Sequence, residues 1–342
     1  MPVKPFISGL AGPGLSEQEA AFFADTQPAG FILFARNIEN PDQLSLLTED
    51  LRTSVEREDL LILIDQEGGR VKRMGPPHWS VRPPMALFGY LYAGRPELAS
   101  RALAVNMALI AADLRAGGLT GNCAPVLDVP VTGAHDIIGD RAFSTDPAIV
   151  AELGGVAATA LLEAGILPVI KHIPGHGRPL VDSHQELPVV EAAQEALEQS
   201  DFAPFHALNH LPLAMTGHVV FSEIDAENCA TFSPTLVSGI IRGSIGFGGL
   251  LMSDDISMGA LEGPIEARAL KALDAGLDLV LHCNGRLDEM KQVAAALDAM
   301  PEQRYVLLAE VLAEARERPM PDKAALNEEY NDLTGSQGEI GD

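Results

Sequence analysis

Eight short apolar runs punctuate the chain, at 6–12, 30–36, 60–66, 119–129, 166–174, 213–221, 249–255 and 278–284. Most are nearly continuous rather than alternating, the pattern of strands covered on both faces of a parallel sheet. Between them the periodicity turns helical. Segment 41–55 opens on Pro41 and carries Leu44, Leu46, Leu47 and Leu51 at helical spacing. Segments 96–116 and 147–164 are rich in Ala and Leu and also begin at a proline, with Gly117 and Gly165 where a C-terminal glycine belongs. Strands alternating eightfold with helices predict an α/β fold, a single-domain (β/α)8 TIM-type barrel of the kind that runs to about 250 residues or more. A doubly wound open sheet is the runner-up, but it needs fewer strands and a Gly-rich cofactor turn. No internal repeat or linker interrupts the pattern. The barrel is expected over residues 1–320. An acidic, loosely ordered tail is expected over 321–342, where Asn327, Glu328 and Glu329 begin a polar stretch.

Charge narrows the partners. The 342 residues hold 23 Lys+Arg against 48 Asp+Glu, a net charge of −25, which argues against nucleic acid or an anionic membrane as a partner. A small-molecule substrate is the expectation, met by a local basic pocket if it is anionic. Three cysteines, Cys123, Cys229 and Cys283, without a C-x-x-C spacing make a disulfide framework or Cys-based zinc site a poor reading. The first residues lack the pattern of a secretory signal, and no apolar run reaches 18 residues. A cytoplasmic protein is expected, and a monomer, since no helix pattern offers an obvious apolar outer face.

The barrel reading sharpens the search for chemistry, because active sites of such barrels lie at the C-terminal ends of the strands. The apolar runs end in Arg36, Asp65, Asp128, Lys171 with His172, His218, Asp254 with Asp255, and Asn284. Three segments stand out. In 60–73, Asp65 closes a run, Gly68 and Gly69 permit a tight turn, and Arg70, Lys72 and Arg73 form a basic cluster. Such a carboxylate can accept two hydrogen bonds from a diol, although a salt-bridged loop competes with that reading. In 170–184, Lys171, His172, His176 and His184 gather around Pro174, Gly175 and Gly177, with Asp182 two residues from His184. An Asp so placed can orient an imidazole for acid–base work, while three histidines also suit zinc. In 249–258, Asp254 and Asp255 end an apolar run. One can serve as nucleophile, cation stabiliser or metal ligand, and helix capping is the better reading of Asp255. No Walker A, G-x-G-x-x-G, H-E-x-x-H, G-x-S-x-G or EF-hand pattern is present.

Taken together, DQEGGRVKR (65–73), APVLDV (124–129), IGDRAFSTDP (138–147), KHIPGHG (171–177) with DSH (182–184), TGHVVF (216–221) and LMSDDISMGAL (251–261) resemble the family 3 glycoside hydrolases. The similarity is to their single-domain bacterial β-N-acetylhexosaminidases of peptidoglycan recycling. The resemblance implies a retaining exo-β-N-acetylglucosaminidase without cofactor or metal. It implies Asp254 as the nucleophile and His184, held by Asp182, as the general acid/base. Asp65, Arg73, Arg141, Lys171 and His172 would bind the sugar, with Met215 lining the pocket. Retaining glycosidases usually set two carboxyl groups about 5–5.5 Å apart, and here an imidazole would replace one of them. The chain departs from the family at Ile173, where Phe is frequent, and at Arg178-Pro179-Leu180-Val181, where more polar residues are expected. Two rival functions remain: a zinc amidohydrolase using His172, His176 and His184 with Asp254, and a sugar-binding protein that performs no chemistry.

Overall fold

The structure is a computed structural model that describes residues 2–133, 135–179 and 187–335. The strands are β1 (Lys4–Ser8), β2 (Pro28–Leu33), β3 (Leu61–Ile64), β4 (Gly121–Asn122), β5 (Leu167–Ile173), β6 (Val189–Val190), β7 (Leu213–Thr216), β8 (Val220–Phe221), β9 (Leu250–Asp255) and β10 (Leu279–His282). Eight of them close a parallel barrel in the order β1-β10-β9-β7-β5-β4-β3-β2, and β6 pairs with β8 in a separate parallel ribbon. The chain is a (β/α)8 barrel, and each predicted run supplies one barrel strand.

Burial explains why the runs are apolar throughout. Leu61, Leu63, Leu213, Met215, Leu250, Met252, Leu279 and Leu281 belong to one buried cluster, which fills the barrel. Their neighbours Ile62, Ile64, Ala214, Leu251 and Val280 belong to another, between the barrel and its helices. A strand with water on neither side has no position at which a polar residue is cheap. Helix Glu302–Glu317 adds Leu308, Leu312 and Ala315 to the inner cluster, and its Arg304 binds Asp278 and the Gly249 carbonyl beside the starts of β10 and β9.

The helices begin where their caps are. Asn40 accepts from the Gln43 N–H ahead of helix Pro41–Val55, and Asp146 accepts from the Ala148 N–H ahead of Pro147–Glu163. Two expectations change. The run 119–129 gives only a two-residue strand, because Pro125 has no N–H for the ladder, and Val126 returns as an isolated bridge to Lys171. The expected loose tail holds a helix, Lys323–Thr334. Asp322 caps it, Lys323 pairs with Asp113, and Arg101 Nε lies 2.5 Å from Glu329 Oε1, fastening it to helix Pro96–Ala116. Cys123, Cys229 and Cys283 are free and buried. Among the described residues no helix is long and apolar enough to cross a membrane.

Candidate active site

Beyond β3 the chain turns at Gly68 and Gly69, both at positive φ, and a Cβ on Gly68 would lie 2.5 Å from the Pro83 carbonyl. The turn brings Arg73 back onto the strand end, where its Nη2 donates to Asp65 Oδ2 at 2.9 Å. Lys171, near the end of β5, places Nζ 2.9 Å from Asp65 Oδ1 and 2.7 Å from Glu67 Oε1. Arg141, from a turn over Gly139–Arg141, grips Glu67 with two hydrogen bonds of 2.8 Å. Burial would raise the carboxyls of Asp65 and Glu67. The fields of Lys171 with Arg73, and of Lys171 with Arg141, outweigh it and hold both below the usual range. Burial would likewise lower Lys171, but the two carboxylates push it above the ordinary ammonium value. The result is a close array of two carboxylates and three basic side chains.

A second array lies beside it. Asp128, fully buried, accepts the backbone N–H groups of His172 (3.1 Å) and His176 (2.7 Å) on Oδ1. Its Oδ2 lies 2.6 Å from His172 Nδ1. Burial would raise this carboxyl, but His172 and then His176 draw it down to about 2. The β5–β7 register shifts between Lys171 and Ile173, and both Lys171 and His172 line the cavity, although neighbours on a regular strand face opposite sides. His176 is 3% exposed, and among the described residues neither ring nitrogen has a hydrogen-bond partner. Burial, with His172 beside it, pushes that imidazole down to about 4.

The third component comes from β9. Asp254 Oδ1 accepts from the Asp255 N–H at 2.7 Å. Burial would raise its carboxyl, but His218, His172, the Asp255 N–H and Lys171 together keep it below the ordinary value. Asp255 is occupied elsewhere, accepting from Ser257 N and Oγ and from the Cys283 N–H. The helix capping expected of it is not what it does: it closes the turn after β9, and the next helix begins only at Ile265. His218 is fully buried between Thr231 Oγ1 and the Asp255 carbonyl, and burial holds its imidazole below the ordinary value. It acts from behind Asp254 rather than from the cavity wall.

These side chains surround one cavity of about 430 Å³ at the C-terminal ends of the strands. Of the residues the sequence nominated, Asp65, Arg73, Arg141, Lys171, His172, Met215 and Asp254 all line it. Asp182 and His184 lie outside the described residues. The sequence reading gave Glu67 no role, offered His176 only as a zinc ligand and Arg70 only as part of a basic cluster, yet all three line the cavity too. It noticed Asp128 only as a strand end. Glu67 sits among basic residues in sequence, a signal of charge pairing, but its partners Arg141 and Lys171 are remote. Cys283 also lines the wall, with a thiol pushed well above its ordinary value by burial and then by Asp255 and Asp254. Among the described residues no group of three His, Cys, Asp or Glu side chains could hold a metal ion. A half-buried carboxylate that among the described residues bears no side-chain salt bridge, facing a wall of fixed hydrogen-bond donors and acceptors, suits attack on or stabilisation of an electrophilic carbon in a polyhydroxylated ligand.

Comparison with known proteins agrees with this geometry. The profile of the Glycosyl hydrolase family 3 N terminal domain matches residues 8–310. A beta-hexosaminidase of Bordetella avium is 40% identical over 289 residues, covering 83% of this chain and 81% of its own. One of Alkalilimnicola ehrlichii is 39% identical over 303 residues, 87% of this chain and 84% of its own. Among solved structures, NagZ from Neisseria gonorrhoeae in complex with N-trifluoroacetyl-D-glucosamine superposes with a TM-score of 0.86 at 30% identity, covering 98% of this chain and 99% of that one. A family 3 beta-N-acetylglucosaminidase from a Paenibacillus species gives 0.82 at 29% identity over 97% of this chain and 67% of its own.

Proposed function

The chain belongs to glycosyl hydrolase family 3, and on that premise we propose that it is a retaining exo-β-N-acetylglucosaminidase of peptidoglycan recycling. That it is a glycoside hydrolase acting on an N-acetylhexosamine follows from the family and from its beta-hexosaminidase relatives. The substrate proposed is the terminal non-reducing GlcNAc of β-1,4-linked anhydro-muropeptides, cleaved in the cytoplasm by a monomer. The relative from Neisseria gonorrhoeae, solved with an N-acylated glucosamine analogue, supports the sugar assignment.

The observation that carries the mechanism is the single cavity in which Asp254 faces the ion-paired wall of Asp65, Lys171 and Arg73. In this reading the sugar hydroxyls exchange hydrogen bonds with Asp65, Lys171, Arg73, Arg141 and His172, and Met215 gives the ring an apolar contact. Asp254, ionised at neutral pH, attacks the anomeric carbon as the glycosidic C–O bond breaks and the leaving oxygen takes a proton from His184. The resulting glycosyl ester is hydrolysed when His184, now a base steadied by Asp182, deprotonates a water that attacks the same carbon. A positioned acid of this kind contributes about 10²–10⁴ in rate.

The test is release of nitrophenol from para-nitrophenyl β-N-acetylglucosaminide beside the β-glucoside, with and without chelator. Chelator-resistant cleavage of the N-acetyl substrate alone is the expected result. Cleavage lost with chelator would transfer the assignment to zinc. Saturable sugar binding without product from any substrate would leave a binding protein.

A further inference from the structure

Glu67 contributes nothing to the mechanism above, yet it is among the most constrained side chains in the cavity wall. Its side chain is 2% exposed, and its two oxygens carry three short contacts: Lys171 Nζ at 2.7 Å and Arg141 Nε and Nη2 at 2.8 Å each. Both oxygens are therefore committed, and a carboxylate so engaged has little capacity left for a sugar. Its partners arrive from neighbouring parts of the barrel, Lys171 on β5 and Arg141 on the turn that follows β4. Among the described residues the only other side-chain contact of Lys171 Nζ is Asp65, and Arg141 has beyond Glu67 only the Ile137 carbonyl of its own loop.

We propose that Glu67 is a positioning residue: it ties Lys171 and Arg141 into one rigid wall and thereby sets the spacing of the groups that meet the sugar. The inference rests on the glycosidase reading and deepens it. A planar carboxylate gripped on both oxygens by Arg141 and sharing Oε1 with Lys171 fixes both distance and orientation, and displacing such groups by about 1 Å costs on the order of 10²-fold in catalysis. A second consequence is electrostatic. The charged and titratable groups acting on Lys171 are Asp65 and Glu67 beyond β3, Arg141, Cys123 beyond β4, and Asp254 on β9. Of these, Asp65 and Glu67 touch its ammonium. With Glu67 uncharged, Lys171 keeps one contacting counter-charge while its burial is unchanged, so its proton is held less tightly.

Three measurements test this. In Glu67→Gln, which preserves shape, kcat/KM for the nitrophenyl N-acetylglucosaminide is expected to fall about 10–100-fold, mainly through KM. The pH profile should gain a further descending alkaline limb beyond the one that loss of the His184 proton sets in the wild type. In Glu67→Asp, which keeps the charge but is too short to span both cations, KM should rise without the new limb. Trace acetylation of Lys171 across alkaline pH, read by mass spectrometry, should show an inert amine in the wild type and in Glu67→Asp, and a reactive one in Glu67→Gln. The labelling needs no turnover. A wild type that cleaves nothing would therefore overturn the glycosidase reading alone, and the labelling would still decide the role of Glu67. A folded Glu67→Gln with wild-type KM, profile and labelling would overturn the inference. Should that variant not fold, a wild-type KM in Glu67→Asp would overturn it equally.

Discussion

Asp128 and His172 are joined twice, through a 3.1 Å bond from the His172 backbone N–H and a 2.6 Å contact from its ring Nδ1. Because Asp128 stays ionised, its Oδ2 requires a proton on Nδ1, which fixes the orientation of the ring at the cavity wall. Asp128→Asn keeps the shape but can turn an amide N–H toward Nδ1, forcing the other tautomer. The expected result is a fall in kcat/KM of about 10²–10⁴ with little loss of cooperative unfolding. Unchanged kinetics would show that the orientation of His172 is immaterial.

Asp254→Asn should lower turnover by roughly 10⁴-fold or more, the scale on which removal of a nucleophilic group acts, while the melting temperature stays near the wild-type value. His184→Ala should slow an oligosaccharide substrate by about 10²–10⁴ and an aryl glycoside with a good leaving group much less. Equal losses on both substrates would remove the proton-donor role from His184.

Acid stability gives an independent reading of His176. Its imidazole sits near 4 in the folded protein against 6.5 for the free side chain. The folded-state value is the depressed one, so the unfolded chain binds the extra proton and stability declines as pH falls from about 6.5 to about 4. Across that window the loss from this residue is on the order of 3 kcal/mol. His218, also pushed down by burial, adds to the same slope. Urea unfolding of His176→Gln between pH 7 and 4 should show a shallower decline than the wild type. Parallel curves would mean that His176 finds a proton in the folded state.

Arg178 begins the stretch where the sequence departs from its family, and it is not idle. Its Nε donates to the buried Asp201 at 2.7 Å, while Gly177 and Pro179 accept backbone bonds from Val131 and His135. Arg178→Ala strips Asp201 of its only side-chain partner among the described residues and should cost about 1–3 kcal/mol in denaturant unfolding. A smaller loss in the double variant with Asp201→Asn than the two single losses summed would identify the pair as the cause.

The apolar run at Leu60–Ile64 and the proline-led helices at Pro41, Pro96 and Pro147 were legible because burial on both strand faces and helix capping are local in sequence. Asp65, Lys171 and Asp254 were legible as candidates for the same reason, since each is the charge that ends an apolar run. The links between them were not. Glu67 meets Arg141 across 74 residues and Asp128 meets His172 across 44, and nothing within either segment names its partner. The helix Lys323–Thr334 has no buried residue, so its composition resembles a tail, and ion pairs with a distant helix hold it.

The Cys283 thiol on the cavity wall bears on how this protein can be inhibited. A thiol held protonated by burial and by two neighbouring carboxylates is a poor target for acrylamides and haloacetamides, even when a sugar carries them to its side. The carboxylate of Asp254, within the same cavity and already charged, favours warheads that esterify acids, such as epoxides and activated fluorosugars. Covalent ligands for this cavity are best chosen from carboxylate chemistry, leaving thiol chemistry to proteins whose cysteines are exposed.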